Sequence, residues 1–298
     1  MNQSARHETV QAHRTKTGLS NGPEPSMRRG NKLAHFGVLL VLVAGIVCCP
    51  EVLIAQTPSS DPELHTVEPI ITEETMPNEP GDWDLRFSGS YSWQGAEGFG
   101  FVPRTQLFFG IANRWGGEIE VPLEFARQHA NHYGVGDISA TVKYLVRKPT
   151  VRGPGFVLGL ETTFPSGNAG NGLGEGVFEA VPFVAMVYAS QRVVLQGNFG
   201  YSLIHRIQET DANNQIVYNG AVAFPFQRLN TWVLGEINGT HDKNGNRATF
   251  SPGLKYNLTP ERFLAIALPV GLNSRTPRIG IVLQIQIALR SSEQGRAK

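Results

Sequence analysis

The chain is poor in the residues on which soluble chemistry usually rests. Only two of its 298 residues are cysteine, Cys48 and Cys49. They are adjacent within an apolar N-terminal run, so the rest of the chain has no thiol to pair, bind metal or attack a substrate. Charged residues make up 17% and the formal net charge is +1. The lysines and arginines are scattered, which excludes the concentrated basic face that nucleic acid requires. The eight histidines show no ligand spacing on a rigid element, so no metal and no cofactor is expected. No apolar run reaches the roughly 20 residues of a spanning helix. The longest, Phe36 to Val47, stops at twelve, and no convincing amphipathic helix accompanies it.

That run follows Arg28, Arg29 and Lys32, the layout of a secretory signal. A bulky Val47 before Cys48 is unlike the small residue that precedes a lipid-modified cysteine, and cleavage after Ala55 fits a plain signal peptide. Residues 1–55 are therefore read as an N-terminal extension and signal peptide, with Met27 a plausible true start. General secretion is expected, because a barrel with a lipid-facing exterior must travel unfolded. Residues 56–81 follow as a disordered, acidic and proline-rich periplasmic lead: between Gln56 and Pro80 lie six acids, five prolines and no lysine or arginine, a composition that favours solvation.

From Gly81 the chain changes to period two. Trp83, Leu85, Phe87, Gly89, Tyr91 and Trp93 alternate with Asp84, Arg86, Ser88, Ser90 and Ser92, and the pattern returns in Arg247 to Leu258 and Ile279 to Leu289. Such alternation marks strands with one apolar and one polar face. Twelve segments are predicted, at 82–93, 103–112, 116–125, 136–147, 155–164, 177–188, 191–204, 215–226, 229–238, 247–258, 261–270 and 277–289. Most match the length of a tilted membrane-crossing strand, and an even count returns both ends to the periplasm. Tight connections alternate with long ones, except that Lys148 to Pro154 should be periplasmic and is not tight. Aromatic residues at strand ends (Trp83, Trp93, Tyr144, Phe164, Tyr188, Tyr256) suit interfacial girdles and argue against a soluble β-sandwich. The expected fold is an all-β, antiparallel up-and-down transmembrane β-barrel of about 12 strands over residues 82–289, with a polar tail at 290–298.

With the apolar face toward lipid, ten charged residues are candidates for the lumen: Asp84, Arg86, Glu118, Glu120, Glu124, Asp137, Lys143, Glu161, Glu179 and Lys255. Seven are acids and three are bases, as suits a mildly acidic pore but equally an interior filled by paired charges. Catalysis has little support, and the protein is read as a non-enzyme. Ser139 with His129 and His132 is the nearest approach to a hydrolase, yet those histidines fall in an expected external loop. Glu118 and Glu120 share a strand face without needing a glycosidase role. The glycine-rich stretch Gly167 to Gly176 opens no helix that could cradle a phosphate.

Three passages carry a resemblance: Gly136-Asp137-Ile138 running to Lys143-Tyr144, Leu160 to Gly167 with Phe164-Pro165-Ser166-Gly167, and Pro252-Gly253-Leu254-Lys255-Tyr256. They resemble the outer-membrane barrel family of transporters of the MetA pathway of phenol degradation, across most of Gly81 to Leu289. The resemblance implies a bacterial outer-membrane channel or transporter for small solutes, hydrophobic or aromatic ones among them. Its expected partners are membrane lipid and lipopolysaccharide, the outer-membrane assembly machinery and the solutes, with no nucleic acid. The alternatives are a non-conducting structural or adhesive barrel and an outer-membrane hydrolase. One departure stands out: such barrels usually end on an aromatic residue, whereas this last strand ends at Leu289.

Overall fold

The computed structural model describes residues 69–72, 75–93, 99–127, 131–150, 153–207, 212–259 and 261–289. The expected signal peptide, the tail at 290–298 and most of the expected lead lie outside the described residues. The described strands are β1 Trp83–Trp93, β2 Phe99–Ala112, β3 Trp115–Arg127, β4 Asn131–Val135, β5 Ile138–Arg147, β6 Gly155–Phe164, β7 Val177–Ala189, β8 Val194–Arg206, β9 Gln215–Phe226, β10 Thr231–Asp242, β11 Gly245–Thr259, β12 Arg262–Ala267, β13 Val270–Gly271 and β14 Ile279–Leu289.

These fourteen segments make twelve staves. Below a break β5 pairs with β3 as far as Glu120↔Ser139, and above it β4 pairs with β3 from Leu123↔Val135. Three residues, Gly136 to Ile138, thus oppose the pair Val121 and Pro122, which is a β-bulge. Gly136 N–H donates to the Pro122 carbonyl across it at 3.0 Å. The second break follows from Pro269, which has no N–H to give the ladder; β13 resumes beyond it, against β11 and β14.

Each stave pairs antiparallel with its neighbours, and β1 pairs with β14 without a break from Trp83↔Leu289 to Trp93↔Ile279. The protein is therefore a closed, all-β antiparallel barrel of twelve strands. Closure does not need an aromatic last residue: Leu289 lies opposite Trp83, whose ring stacks on Phe109 at 5.2 Å. Trp115 and Tyr144 continue that inner belt at 4.8 Å. The link from Lys148 to Pro154 is tied as a small hairpin, with Thr150 and Gly153 exchanging N–H···O bonds of 2.9 and 3.1 Å. Its length therefore does not break the short-turn pattern of that end.

The outer face is predominantly apolar, with Val184 54%, Phe199 55% and Leu283 55% exposed at mid-strand. The inner face is not uniformly polar, as the alternation alone had suggested. At the end carrying the short turns, Val187, Ala189, Val194, Ala223, Leu234, Phe263, Ala265 and Ala267 form one buried inward cluster, and Ile70 belongs to it. Leu145, Val157, Phe183 and Ala185 form a second. Met76 packs on both clusters.

Ile70 and Met76 come from the stretch expected to be a solvated lead. Residues 56–68, 73 and 74 are outside the described residues, but 69–72 and 75–80 run inside the barrel. The composition argument overlooked that a closed barrel has an interior for a short segment to fill. Prolines keep this segment out of the ladder, while its few apolar side chains cover apolar wall that would otherwise meet water.

A charge on the outer face tests the membrane orientation. Val184→Arg, at the centre of β7, is expected to cost about 2–4 kcal/mol in reversible unfolding from lipid vesicles. No loss in lipid would argue against lipid contact at this strand.

Candidate functional site: the barrel interior

All ten charged candidates except Asp84 are buried, and Asp84 is half-buried. Glu161 stands apart on β6, opposite Thr141 of β5 and Val181 of β7, and the other nine fall into three groups. On the β1, β2, β3 and β5 wall, Lys143 Nζ donates to Glu118 Oε2 at 3.1 Å and Gln106 Nε2 donates to Glu118 Oε1 at 3.0 Å. Arg86 Nε donates to Gln286 Oε1 at 2.7 Å, and its guanidinium lies 4.3 Å from the Phe108 ring centroid. Arg104 Nε pairs with Glu120 Oε1 at 3.2 Å. The strands bring these groups together directly, since Phe108 faces both Asp84 and Glu118 in the register. Arginine suits this place because its planar group can lie on a ring and donate in its own plane.

The second group sits at the outer end. Asp137, in the β4–β5 bulge, accepts Gly167 N–H at Oδ1 (2.9 Å) and Glu175 N–H at Oδ2 (2.6 Å). Glu124 accepts Gly174 N–H at 2.9 Å. Ser166 clamps the same corner, donating its hydroxyl to the Gly136 carbonyl at 3.0 Å and accepting Ile138 N–H at 2.9 Å. Two of the three resembling passages, Gly136-Asp137 and Phe164-Pro165-Ser166-Gly167, thus meet in space. Their shared role is to fasten the β6–β7 loop onto the inward face. A Cβ at Gly174, whose φ is +87°, would also collide with the Asp137 carboxylate, so glycine is required there twice over. Nearby, the Ser202 hydroxyl donates to Glu179.

The third group lies at the inner end, where the Lys255 ammonium sits 3.4 Å from the Phe263 ring centroid. Glu236 is its less visible member. This carboxylate is 1% exposed and receives three backbone N–H groups from the internal segment: Ile70 to Oε1 at 2.7 Å, and Ile71 and Thr72 to Oε2 at 2.9 and 2.6 Å. Thr72 Oγ1 also donates to Asn238 Oδ1 at 3.1 Å, Thr75 Oγ1 to Gln196 Oε1 at 3.0 Å, and Asn78 Nδ2 to Asp84 Oδ2 at 2.8 Å. The third resembling passage belongs here too: a Cβ on Gly253 would lie 2.8 Å from Ile70 Cδ1.

Arg104, Gln106 and Glu236 were missed in the sequence reading. The first two were accessible, because they alternate with Thr105 and Leu107. Glu236 was hidden, since its inward face mixes the apolar Trp232 and Leu234 with the polar Asn238, so β10 has no clean polar face. The hydrolase candidates do not assemble. His129 lies outside the described residues. His132, on β4, lies opposite Ala126 and Ser139 opposite Glu120, six residues or about 20 Å apart along β3. Glu118 and Glu120 are each committed to a cation. Among the described residues no group of three or more His, Cys, Asp or Glu is placed to hold a metal ion.

Residues 87–287 match the family model described as "Putative MetA-pathway of phenol degradation". Among solved structures, the COG4313 outer membrane channel from Pseudomonas putida F1 superposes with a TM-score of 0.60 at 13% identity, covering 75% of this chain and 100% of that one. The KdgM porin superposes at 0.51 with 11% identity, covering 70% and 99%. At these identities the likeness is one of fold. No curated protein matches the sequence.

Lys143 tests the first group. Lys143→Met leaves Glu118 with a buried, poorly paired charge and is expected to destabilise the barrel by about 3–5 kcal/mol in denaturant titration. Lys143→Met with Glu118→Gln should recover most of that loss. Equal losses in the single and double variants would show that packing by Lys143, not its charge, matters.

Proposed function

The chain belongs to the phenol-degradation MetA-pathway family, and on that premise we propose that it is a passive outer-membrane channel for small solutes. The observation that carries this reading is the inward face. From Asp137, Glu124 and Glu179 at one end to Arg86, Lys143 and Glu118 further in, polar and charged side chains line a barrel whose exterior is apolar. A barrel serving only as a lipid-embedded scaffold has no need for so many buried charges, each of which is costly unless paired.

The ten charged candidates then line the solute path as groups held by ion pairs or backbone N–H donors, as at Lys143–Glu118 and Asp137, more than as open rings of one sign. Weak ion selectivity and admission of neutral polar or amphipathic solutes follow. The apolar inner wall and the family description favour solutes with a hydrophobic or aromatic part. Location in a bacterial outer membrane after signal-directed secretion, contact with lipopolysaccharide and insertion by the assembly machinery belong to the same proposal. A non-conducting structural barrel is the second reading, favoured by residues 69–72 and 75–80 inside the lumen. The separation of Ser139 from His132 weighs against the hydrolase reading.

Planar-bilayer recording and liposome swelling with refolded protein separate the two readings. The channel predicts discrete conductance and passage of small solutes. A barrel proven folded by heat-modifiable gel mobility that passes neither ions nor solutes, with the 69–80 segment intact or released, would sink it.

A further inference from the structure

The outer mouth carries a further set of charges, on the wall opposite Asp137. We propose that Arg247, Arg275 and Arg278 form a carboxylate-binding site at the outer mouth, which captures amphipathic solutes by an anionic head before they enter the barrel. This rests on the channel reading and names the charge of the solute's polar end.

The strand pattern brings the three arginines together. Arg247 is half-buried and continues the inward row of Ser251 and Thr249 on β11. Arg278, one residue before β14, continues the inward row of Gln286 and Gln284. Its carbonyl accepts Gly271 N–H at 3.3 Å, and Gly271 lies opposite Thr249 in the register. The backbones of Arg278 and Arg247 therefore stand about 12 Å apart along the wall, close enough for two extended guanidinium groups to meet one anion. Arg275 is carried to the same place by the loop before β14. Leu272 N–H and Thr276 Oγ1 donate to the Ala248 carbonyl at 2.8 and 3.3 Å, and Asn273 Nδ2 donates to the Asn246 carbonyl at 3.1 Å. The loop is thus fastened to the strand that bears Arg247. A Cβ on Gly245, whose φ is +114°, would lie 3.0 Å from Arg275 Nη1, so glycine leaves room for the guanidinium.

Two observations point to an anion. Like charges repel, so three arginines gathered without an acid are costly until something negative joins them. None of the three is ion-paired among the described residues, and Arg247 Nε is buried without a protein partner. Asp242, on the same hairpin as Arg247, turns instead to Asn244, whose N–H and Nδ2 it accepts at 2.8 and 3.2 Å. The far wall supplies the second observation. β5 is fourth and β11 tenth among the twelve staves, so Asp137 and Arg247 stand on opposite sides. Asp137 and Glu124 hold neutral N–H groups, which leave their negative charge in place. An anion in the mouth is repelled by that side and drawn to the arginines. A carboxylate suits them because it takes two N–H groups of a guanidinium at once. A lipid phosphate shares this chemistry, but the inward facing of Arg247 and the seat of Arg275 over Gly245 favour a solute.

The test uses the refolded full chain in planar bilayers, with single-channel current as the readout and benzoate as the probe. Benzoate added on the side of the long loops should block the current saturably. Benzyl alcohol and benzylammonium share its ring and should block at least about tenfold more weakly. The block should fade as salt is raised from about 0.1 to about 1 M, since the mouth is open to water. Arg247→Gln with Arg278→Gln should lower the apparent affinity for benzoate about tenfold or more, the scale of losing a charge-assisted hydrogen bond. Lys243→Gln removes the same charge from the hairpin tip and should change that affinity less than about twofold. Heat-modifiable mobility confirms the barrel in each variant. Equal block by benzoate and benzyl alcohol, an unchanged affinity in the double variant, or an equal loss in Lys243→Gln would overturn the site and leave the channel intact. Block that vanishes once lipopolysaccharide fills the outer leaflet would show that the arginines hold lipid phosphate, and would overturn the solute site as well. A folded barrel that carries no current would overturn the channel reading and the site together.

Discussion

Hydrocarbon offers no hydrogen bond to a backbone, and this constraint shapes everything else in the molecule. Every N–H and C=O that crosses the membrane must find a partner within the protein, which for strands means that the first must meet the last. The unbroken register between β1 and β14 meets that requirement, and the two interruptions elsewhere are handled locally. At the β4–β5 bulge the Gly136 N–H reaches the Pro122 carbonyl, and around Pro269 the Leu268 N–H and the Pro269 carbonyl bond to Pro252 and Gly280. Leu289 suffices at the closing edge because Trp83 and Phe109 supply the aromatic belt from the neighbouring strands.

Closure creates an interior, and the interior must be filled or wetted. The two ends of this barrel solve that problem differently. Toward the outer end the inward residues are charged, and their carboxylates capture backbone N–H groups of a loop. At the inner end the inward residues of β7 to β12 are largely apolar, and the chain's own segment covers them. The same device recurs in both places: a buried carboxylate, Asp137 or Glu236, collects two or three backbone donors from a stretch that has no ladder of its own. Such a stretch can be held in position without strand pairing because each charge-assisted bond is strong where water is scarce.

The sequence revealed the wall well and the contents poorly, for a physical reason. Strands such as β1 and β11 alternate because one face meets lipid and the other meets polar groups, so period two is written in them. β7 gives no such signal, since Val181, Phe183, Ala185 and Val187 face inward while Val184 and Met186 face lipid. Its existence was legible from length and β-branched content, but its facing was not. β10 hid Glu236 in the same way. The charged candidates at Glu118, Lys143 and Asp137 were readable as inward residues, yet their pairings were not, because pairing depends on register between strands distant in sequence.

The segment at 69–80 is the sharper case, because its composition pointed in the wrong direction. Prolines and acids normally signal solvation, since such a stretch cannot bury enough apolar surface to offset its ordering. That argument assumes the stretch must build its own core. Here the wall already supplies one, with Phe263, Ala265, Ala267 and Leu234 positioned by strand pairing, so Ile70 needs only to insert. Burying one such side chain contributes roughly 1.5–3 kcal/mol, and three N–H groups on Glu236 add to it, against the cost of fixing a few residues whose prolines are already stiff.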